Sequence, residues 1–230
     1  MDESVNSAKR IARLAGWLYL LLAITGAYSV MYVPAQIMVQ GDPVTTAQNM
    51  LACEFLFRTG VVSNLIAGAV FVFLVMTLHR LLKQVNMHLA KTMVALVIVA
   101  VSIGFLGNIC KFTALMLLKG NLAGSFEPDQ VYDLVALFLK IDAYGIEISQ
   151  LYWGLWLFPF GLLVYRSGFI PRILGLLLIV NGVAYIILYL TFVLFPDYIS
   201  VVYKFGTPFM AIGEIPTMFW LLINGAKRID

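Results

Sequence analysis

Four ionisable side chains stand inside long apolar stretches of the sequence: Arg58, Lys111, Glu147 and Glu214. A charge at the centre of a membrane-spanning helix costs about 2.5 to 3.5 kcal/mol on insertion scales, so such groups usually face protein or a wet cavity. Two bases and two acids balance, as a buried network needs if no charge is to stay unpaired. We therefore expect a polar network inside an otherwise apolar protein.

Polar neighbours at helical spacing extend this network. Gln150 follows Glu147 by three residues. Asn108 likewise precedes Lys111 by three, so the members of each pair share one helix face. The pattern predicts a pocket in which the acids bind a cation or proton, while the bases hold the acids in place or bind an anionic group. The candidate ligand-binding residues are Glu214, Glu147, Arg58, Lys111, Asn108 and Gln150.

Two prolines predict local breaks in the helices that carry these groups. Pro216 lies two residues after Glu214, and Pro159 interrupts an earlier apolar stretch. Each proline removes a backbone donor and frees the carbonyl four residues earlier. Broken helices beside a buried charge are common in transporters, although inert bundles contain them too.

The elements that position these side chains are predicted to be membrane helices. The 230 residues are 62% hydrophobic and 12% charged, with a mean hydropathy of +0.94, whereas a soluble domain is about half apolar and a quarter charged. The formal net charge of +3 comes from basic residues at helix ends, so no nucleic-acid partner is predicted. The composition indicates an all-α polytopic membrane protein whose first partner is the lipid bilayer.

Apolar runs near twenty residues long recur along the chain and predict one transmembrane domain, residues 1–230, with six spans. The predicted spans are residues 11–32, 55–82, 92–118, 146–165, 173–195 and 205–224. Short amphipathic helices starting at Asp42-Pro43 and Glu127-Pro128 should lie on the outer surface. A straight helix from Pro128 to Tyr165 would be roughly 57 Å long, so a bend near Gly145 is expected. The glycine pairs Gly104 with Gly107 and Gly175 with Gly182 predict close helix contacts.

Basic residues assign the sides of the membrane. One side would carry most of them: Lys9, Arg10, Arg13, Arg80, Lys83, Lys91, Arg166, Arg172, Lys227 and Arg228, against Lys119, Lys140 and Lys204 on the other. The positive-inside rule then places both termini in the cytoplasm and the chain in the plasma membrane. Arg58 and Glu147 would lie shallow on the outer side, Lys111 deeper and Glu214 near mid-span. The predicted pocket therefore opens outward.

Signatures of familiar enzymes are missing from the sequence. His79 and His88 are nine residues apart and do not form the i, i+4 pair of a helical metal site. No phosphate loop, dinucleotide fingerprint or Gly-x-Ser-x-Gly elbow occurs, so neither a cofactor nor a metal is predicted. Cys53 and Cys110 are too few for a disulfide framework, and whether they form a single disulfide stays open.

Several segments carry a resemblance to a known family. They are Ala12–Leu21, Phe57–Gly60, Arg80–Lys83 with Val85-Asn86, and Val164–Gly175, of which Tyr165–Arg172 is the most specific. Together they resemble the bacterial membrane family catalogued as domain of unknown function 4386. The resemblance implies a multi-helix membrane protein and no established activity. It also implies histidines where this chain has Asp142 and Trp156, so a role resting on those histidines does not carry over.

The sequence favours a protein that binds or transports a small molecule or ion through the outward-facing charged pocket. The alternative is a structural or partner-binding membrane subunit in which the charges only lock helices together or reach the outer headgroups. A carboxylate-based membrane enzyme using Glu147 and Glu214 is the third hypothesis. A homodimer is also considered, because six spans are few for a transporter with two full repeats.

Overall fold

Every regular element in the described part of the chain is helical, as the sequence predicts. The structure is a computed structural model that describes residues 2–120, 124 and 126–226. The α-helices are α1 (Asp2–Ala27), α2 (Val33–Ile37), α3 (Pro43–Ala52), α4 (Glu54–Leu82), α5 (Met87–Leu118), α6 (Pro128–Leu155), α7 (Leu157–Ser167), α8 (Arg172–Leu194), α9 (Ile199–Gly206) and α10 (Glu214–Ile223). A π-helical turn covers Tyr28–Tyr32, and 3₁₀ turns cover Pro196–Tyr198 and Thr207–Met210.

Five helical stretches are long and apolar enough to cross a membrane. They are Ser7–Ile37, Glu54–Leu82, Met87–Leu118, Arg172–Leu194 and Pro196–Ile223. The first four correspond to predicted spans, and the fifth begins about nine residues before the predicted span 205–224. These helices agree with a polytopic membrane protein. By length and composition, however, the predicted span 146–165 is not among them.

That predicted fourth span is divided between two helices. α6 ends at Leu155 and α7 begins at Leu157, with Trp156 between them in a turn. The interruption precedes Pro159, which has no N–H to bond to the Leu155 carbonyl. The break expected at this proline is confirmed. At Gly145, where a bend was expected, α6 continues as a helix.

The last predicted span is also not a single helix. α9 ends at Gly206, a 3₁₀ turn follows, and α10 begins only at Glu214. The break expected beside Pro216 is therefore confirmed. It makes Glu214 the first residue of a helix whose Ile215 and Thr217 N–H groups bond back to the Ala211 and Gly213 carbonyls.

The chain divides into two compact units. Unit 1 comprises Met1–Leu21, Val70–Val101 and Glu147–Asp230, and unit 2 comprises Leu22–Ala69 and Ser102–Ile146. Of the candidate residues, Glu147, Gln150 and Glu214 belong to unit 1, and Arg58, Asn108 and Lys111 belong to unit 2.

Close backbone packing characterises unit 1. A Cβ added at Gly154 would lie 2.8 Å from the carbonyl oxygen of Gly182, and one at Gly161 would lie 2.6 Å from that of Gly175. Only glycine allows two helices to approach this closely. The predicted close contacts at Gly175 and Gly182 are confirmed, and they hold α6 and α7 along α8.

In unit 2, the first half of α6 packs onto protein. Val135 is 1% exposed, and Phe138 and Leu139 pack against a buried cluster that includes Ile37 and Met50. The apolar face predicted from the sequence is correct, but a protein core covers it. This packing does not support a helix whose apolar face rests on lipid at the membrane surface.

The start of α3 confirms its predicted N-cap. Asp42 Oδ1 accepts a hydrogen bond from the Thr45 N–H at 2.9 Å, and Oδ2 accepts one from the Thr45 hydroxyl at 2.5 Å. Because these bonds favour the ionised carboxyl, they lower the pKa of Asp42 below its ordinary value.

Replacing Asp42 with Ala should lower the melting temperature at pH 7 by a few degrees, since α3 loses its N-cap. A carboxyl whose pKa is lowered by folding stabilises the fold above its unfolded pKa and loses that contribution as pH falls through its folded pKa. The difference from wild type should therefore shrink in acid. Melts across pH test this, with Asp133→Ala, an exposed helical aspartate, as control. A difference that does not vary with pH would contradict it.

Candidate functional site

The Glu214 carboxylate is held by uncharged hydrogen-bond donors from two other helices. The Tyr19 hydroxyl on α1 donates to Oε1 at 2.6 Å. The Asn181 side-chain amide on α8 donates to Oε2 at 3.5 Å. Tyr185, one turn further along α8, also interacts with the carboxylate through its side chain. Three helices of unit 1 therefore converge on this one group.

The backbone next to Glu214 fixes the site. Asn181 is fully buried, and its Oδ1 accepts the Gly213 N–H at 3.1 Å. This bond sets the orientation of the amide, so its NH₂ group must point toward Glu214. A Cβ added at Gly213 would lie 2.5 Å from the Leu177 carbonyl oxygen. The carboxylate is consequently held by packed backbone as well as by its donors.

Buried aromatic rings line one side of the site. The Tyr19 ring lies 6.3 Å from the ring of Trp156, which is 1% exposed. Trp156 stacks on Phe160 at 5.2 Å and meets Phe71 edge-on at 5.2 Å. In such weakly polar surroundings each hydrogen bond to the carboxylate is stronger than in water, and an uncompensated charge is costly.

A basic side chain binds the other end of α10. The Arg13 guanidinium donates to the Ile223 carbonyl at 3.1 Å. Glu214 lies nine residues before Ile223, or roughly 13 Å along a helix. The mid-span depth of Glu214 in a hydrocarbon core of about 30 Å stays a prediction from the sequence.

No basic residue compensates Glu214 in the part of the chain that the structure describes. The ion pairs found there join other residues: Arg58 with Glu54, Lys119 with Glu54, and Lys111 with Asp142. A carboxyl group with neutral donors and no base can bind a proton or a small cation and thereby become neutral.

A second acid, Glu147, has a similar set of neutral partners. The Gln150 amide donates to Glu147 Oε2 at 2.7 Å, and the Tyr203 hydroxyl donates to Oε1 at 2.9 Å. Gln150 also donates to the Tyr203 oxygen at 2.7 Å. Gln150 is buried, and its Oε1 has no hydrogen-bond partner. The face shared by Glu147 and Gln150 is thus confirmed, and Tyr203 of α9 completes the cluster.

Lys111 forms a buried ion pair in unit 2. Its Nζ lies 3.0 Å from Asp142 Oδ2, and each side chain is 10% exposed. The Asp142 carboxylate occupies the space beside Gly107 that a Cβ would fill. Gly107 is therefore a close contact as predicted, whereas nothing lies within 4 Å of a Cβ added at Gly104. The prediction that Lys111 lies with Glu147 or Glu214 is therefore wrong, because its ionic partner is Asp142.

Arg58 and Asn108 also bind within unit 2. Arg58 Nε lies 2.7 Å from Glu54 Oε1, and Lys119 Nζ lies 2.9 Å from the same oxygen. Asn108 donates to Asn64 Oδ1 at 2.7 Å and retains a buried Oδ1 without a partner. The charge balance therefore differs from the predicted one, since both bases pair with acids outside the candidate set.

A cavity in unit 2 lies beside Lys111. It has a volume of about 20 Å³ and is lined by Ser29, Val33, Pro34, Ile37, Met38, Phe57, Gly60, Val61 and Lys111. One water molecule needs about 10 to 15 Å³. The cavity holds about one water molecule and is too small for a metabolite.

Comparison with known proteins identifies the family. The sequence profile described as Domain of unknown function (DUF4386) matches residues 14–225. The chain belongs to the DUF4386 family. An "Uncharacterized protein" of Archaeoglobus fulgidus is 33% identical over 100 residues, which cover 43% of this chain and 54% of that relative. The chain thus spans about half the length of this relative. No solved structure matches the sequence.

Membership in the DUF4386 family confirms the resemblance inferred from the sequence, and neither match carries a described activity. At the two positions where the resemblance implies histidines, this DUF4386 chain has an ion-paired acid, Asp142, and a buried ring, Trp156. Both of these residues have structural partners here. Neither of them belongs to the set that holds Glu214.

Sequence reasoning on this DUF4386 chain missed most partners of the two acids. The sequence separation from Glu214 is 195 residues for Tyr19, 33 for Asn181 and 29 for Tyr185, and that of Tyr203 from Glu147 is 56. A polar residue within an apolar helix was the available signal, and it applied best to Asn181, which lies in the middle of α8.

Proposed function

We propose that this protein binds a proton or small cation at Glu214 and uses that binding in transport across the plasma membrane. The observation that carries the proposal is the Glu214 carboxyl group, which has neutral donors and no base among the described residues. The tyrosine partner of Glu214 can bond to both the charged and the neutral form of the carboxyl, because a tyrosine hydroxyl donates to a carboxylate and accepts from a carboxylic acid. The surroundings of Glu214 can therefore accommodate both its charged and its neutral form.

The size of the ligand follows from the packing. Close backbone contacts surround Glu214, with a Gly213 Cβ position only 2.5 Å from the Leu177 carbonyl. These dimensions favour a proton or a bare small ion over an amphipathic metabolite.

We assign the outward-facing part of the site to Glu147, Gln150 and Tyr203. Glu147 lies at the outer end of the predicted fourth span, and its cluster provides carboxylate, amide and phenol oxygens. Such oxygens suit a cation or a hydrated proton that enters from outside.

The proposed topology has six spans with both termini in the cytoplasm. The span that brings the number to six is the fourth along the chain, and it would consist of the end of α6 together with α7. Its support is the pair of glycine contacts that hold this segment along α8, which is itself long and apolar enough to cross a membrane. The excess of basic residues at one side supports the orientation.

A structural role is the second candidate, and the ion pairs of unit 2 favour it. The Lys111 ammonium and the Arg58 guanidinium are each matched by an acid. A matched pair has no charge left for a ligand. This observation applies to unit 2 and leaves Glu214 unexplained.

Labelling with dicyclohexylcarbodiimide tests the proposal, because this apolar reagent modifies protonated carboxyl groups in apolar surroundings. In detergent or liposomes, mass spectrometry should locate the modification on Glu214. The yield should fall as pH rises, and a bound cation such as Na⁺ should protect the group. Glu214→Gln should abolish labelling yet remain folded, since the glutamine oxygen still accepts from Tyr19. Glu147→Gln serves as the matched control and should retain the label.

The same labelling experiment, together with thermal melts, can contradict the proposal. A folded wild-type protein whose Glu214 is not modified at any pH, and whose melting temperature is unaffected by cations, would show no binding at this site. The structural role would then stand.

A further inference from the structure

Two buried polar atoms on the same helix as Glu214 have no hydrogen-bond partner. Thr217 is fully buried, and its Oγ1 has no hydrogen-bond partner. The Trp220 Nε1 is also buried without a partner. Among the described residues four buried side-chain atoms share this property, and two of them lie on α10.

These atoms follow Glu214 at intervals of one helical turn. Residues three apart lie on adjoining parts of a helix surface, about 5 to 6 Å apart at Cβ. Helical side chains lean toward the N-terminus, so Thr217 leans toward Glu214, and Trp220 leans toward Thr217. The sequence Glu214, Thr217, Trp220 thus runs from mid-span toward the Arg13 end of unit 1.

Unpartnered buried polar atoms require an explanation. A buried donor or acceptor that stays without a hydrogen bond destabilises the fold. A hydroxyl in a helix usually bonds back to the carbonyl four residues earlier, but here the Gly213 carbonyl accepts only the Thr217 N–H, at 3.2 Å. Ordered water is the partner that such atoms commonly have in proteins.

We propose that a file of water molecules along Thr217 and Trp220 connects Glu214 to the cytoplasmic side of the membrane. This inference rests on the proposed function and adds the route by which the proton or cation reaches the site. Water and the Thr217 hydroxyl can pass a proton, because each both donates and accepts. The Trp220 N–H only donates, so it holds a water oxygen in place.

The route also fits the position of α1. A Cβ added at Gly16 would lie 2.5 Å from the Leu222 backbone nitrogen, so α1 touches the last turn of α10 directly. The Arg13 guanidinium binds the end of the same helix. Basic residues mark the cytoplasmic side, and the file therefore ends at a polar, charged surface.

Cysteine accessibility tests the route. In a protein whose Cys53 and Cys110 are replaced by Ala, Thr217→Cys should react with a charged, impermeant methanethiosulfonate reagent in inside-out vesicles. In right-side-out vesicles it should remain unmodified. Met218→Cys is the matched control, because Met218 is the next residue along the helix and is also buried, at 5% exposed. It should react at least about tenfold more slowly from either side, the factor that 1.4 kcal/mol produces.

Three results would overturn the route: no reaction of Thr217→Cys from either side, reaction from the outside only, or equal reaction of Met218→Cys. Carbodiimide labelling of Glu214 in the same vesicles distinguishes a wrong route from the absence of a binding site at Glu214. If Glu214 is still labelled, only the route is wrong.

A second measurement covers the case in which Thr217→Cys does not fold. Thr217→Val keeps the shape of the side chain and removes the hydroxyl. After transfer to D₂O, the infrared carboxyl band of protonated Glu214 should shift about tenfold more slowly in this variant than in wild type. Thr217→Ser should restore the wild-type rate. Equal rates in all three proteins would contradict a role for the hydroxyl.

Discussion

Replacing Lys111 with Met should lower the free energy of unfolding by about 3 to 5 kcal/mol, because it leaves the Asp142 carboxylate buried and unpaired. Both side chains are only 10% exposed, and their atoms lie 3.0 Å apart. Unfolding in mixed micelles with increasing dodecyl sulfate would measure the change. The double variant Lys111→Met with Asp142→Asn should recover much of the loss, since no isolated charge remains.

Arg58→Met provides the control for this prediction. Its pair with Glu54 has side chains that are 40% and 29% exposed, and an exposed pair contributes about 0 to 1 kcal/mol. Arg58→Met should therefore change the free energy of unfolding far less than Lys111→Met. Additive losses in the double variant of Lys111 and Asp142 would show that the two charges do not stabilise each other.

Replacing Gly161 with Ala should destabilise unit 1 by about 2 to 3 kcal/mol, because extra volume in a tight contact forces the backbone apart. The new Cβ would lie 2.6 Å from the Gly175 carbonyl oxygen and 2.8 Å from the Ile179 side chain. Rigid backbone atoms cannot move aside as a flexible side chain can. Unfolding in the same mixed micelles tests this prediction.

Gly104→Ala is the matched control, because nothing lies within 4 Å of its added Cβ. There the better helix propensity of alanine should leave stability unchanged or raise it by up to about 1 kcal/mol. Equal effects of Gly104→Ala and Gly161→Ala would contradict the close approach of α7 to α8. The proposed span formed by the end of α6 and α7 would then lose its main support.

Different parts of unit 1 would carry out different steps of the proposed transport. Glu147 and its partners would receive the ion on the outer side, Glu214 would bind it near mid-span, and the file along α10 would open to the cytoplasm. Alternating access requires that both sides are not open together. In the proposed mechanism, the close packing around Gly213 and Gly154 would provide this closure.

The sequence by itself determined the class of this protein and most of its helices. Composition and the length of the apolar runs are enough for this, because the hydrocarbon core requires about twenty apolar residues for each helix. The N-cap at Asp42, the breaks near Pro159 and Pro216, and the close contacts at Gly175 and Gly182 also followed from local rules. The cap and the breaks depend on one residue and its own backbone, and the glycine contacts depend on a residue without a side chain.

Only the tertiary structure decided which groups meet. The sequence placed Lys111 with the acids of the candidate set, whereas it pairs with Asp142. No pattern in the sequence indicates that Tyr19 donates to Glu214, 195 residues away. Helical periodicity fixes the face on which a side chain lies, but the partner of that face depends on how helices distant in the chain pack together. For this reason the acids could be found from the sequence, and their neutral donors could not.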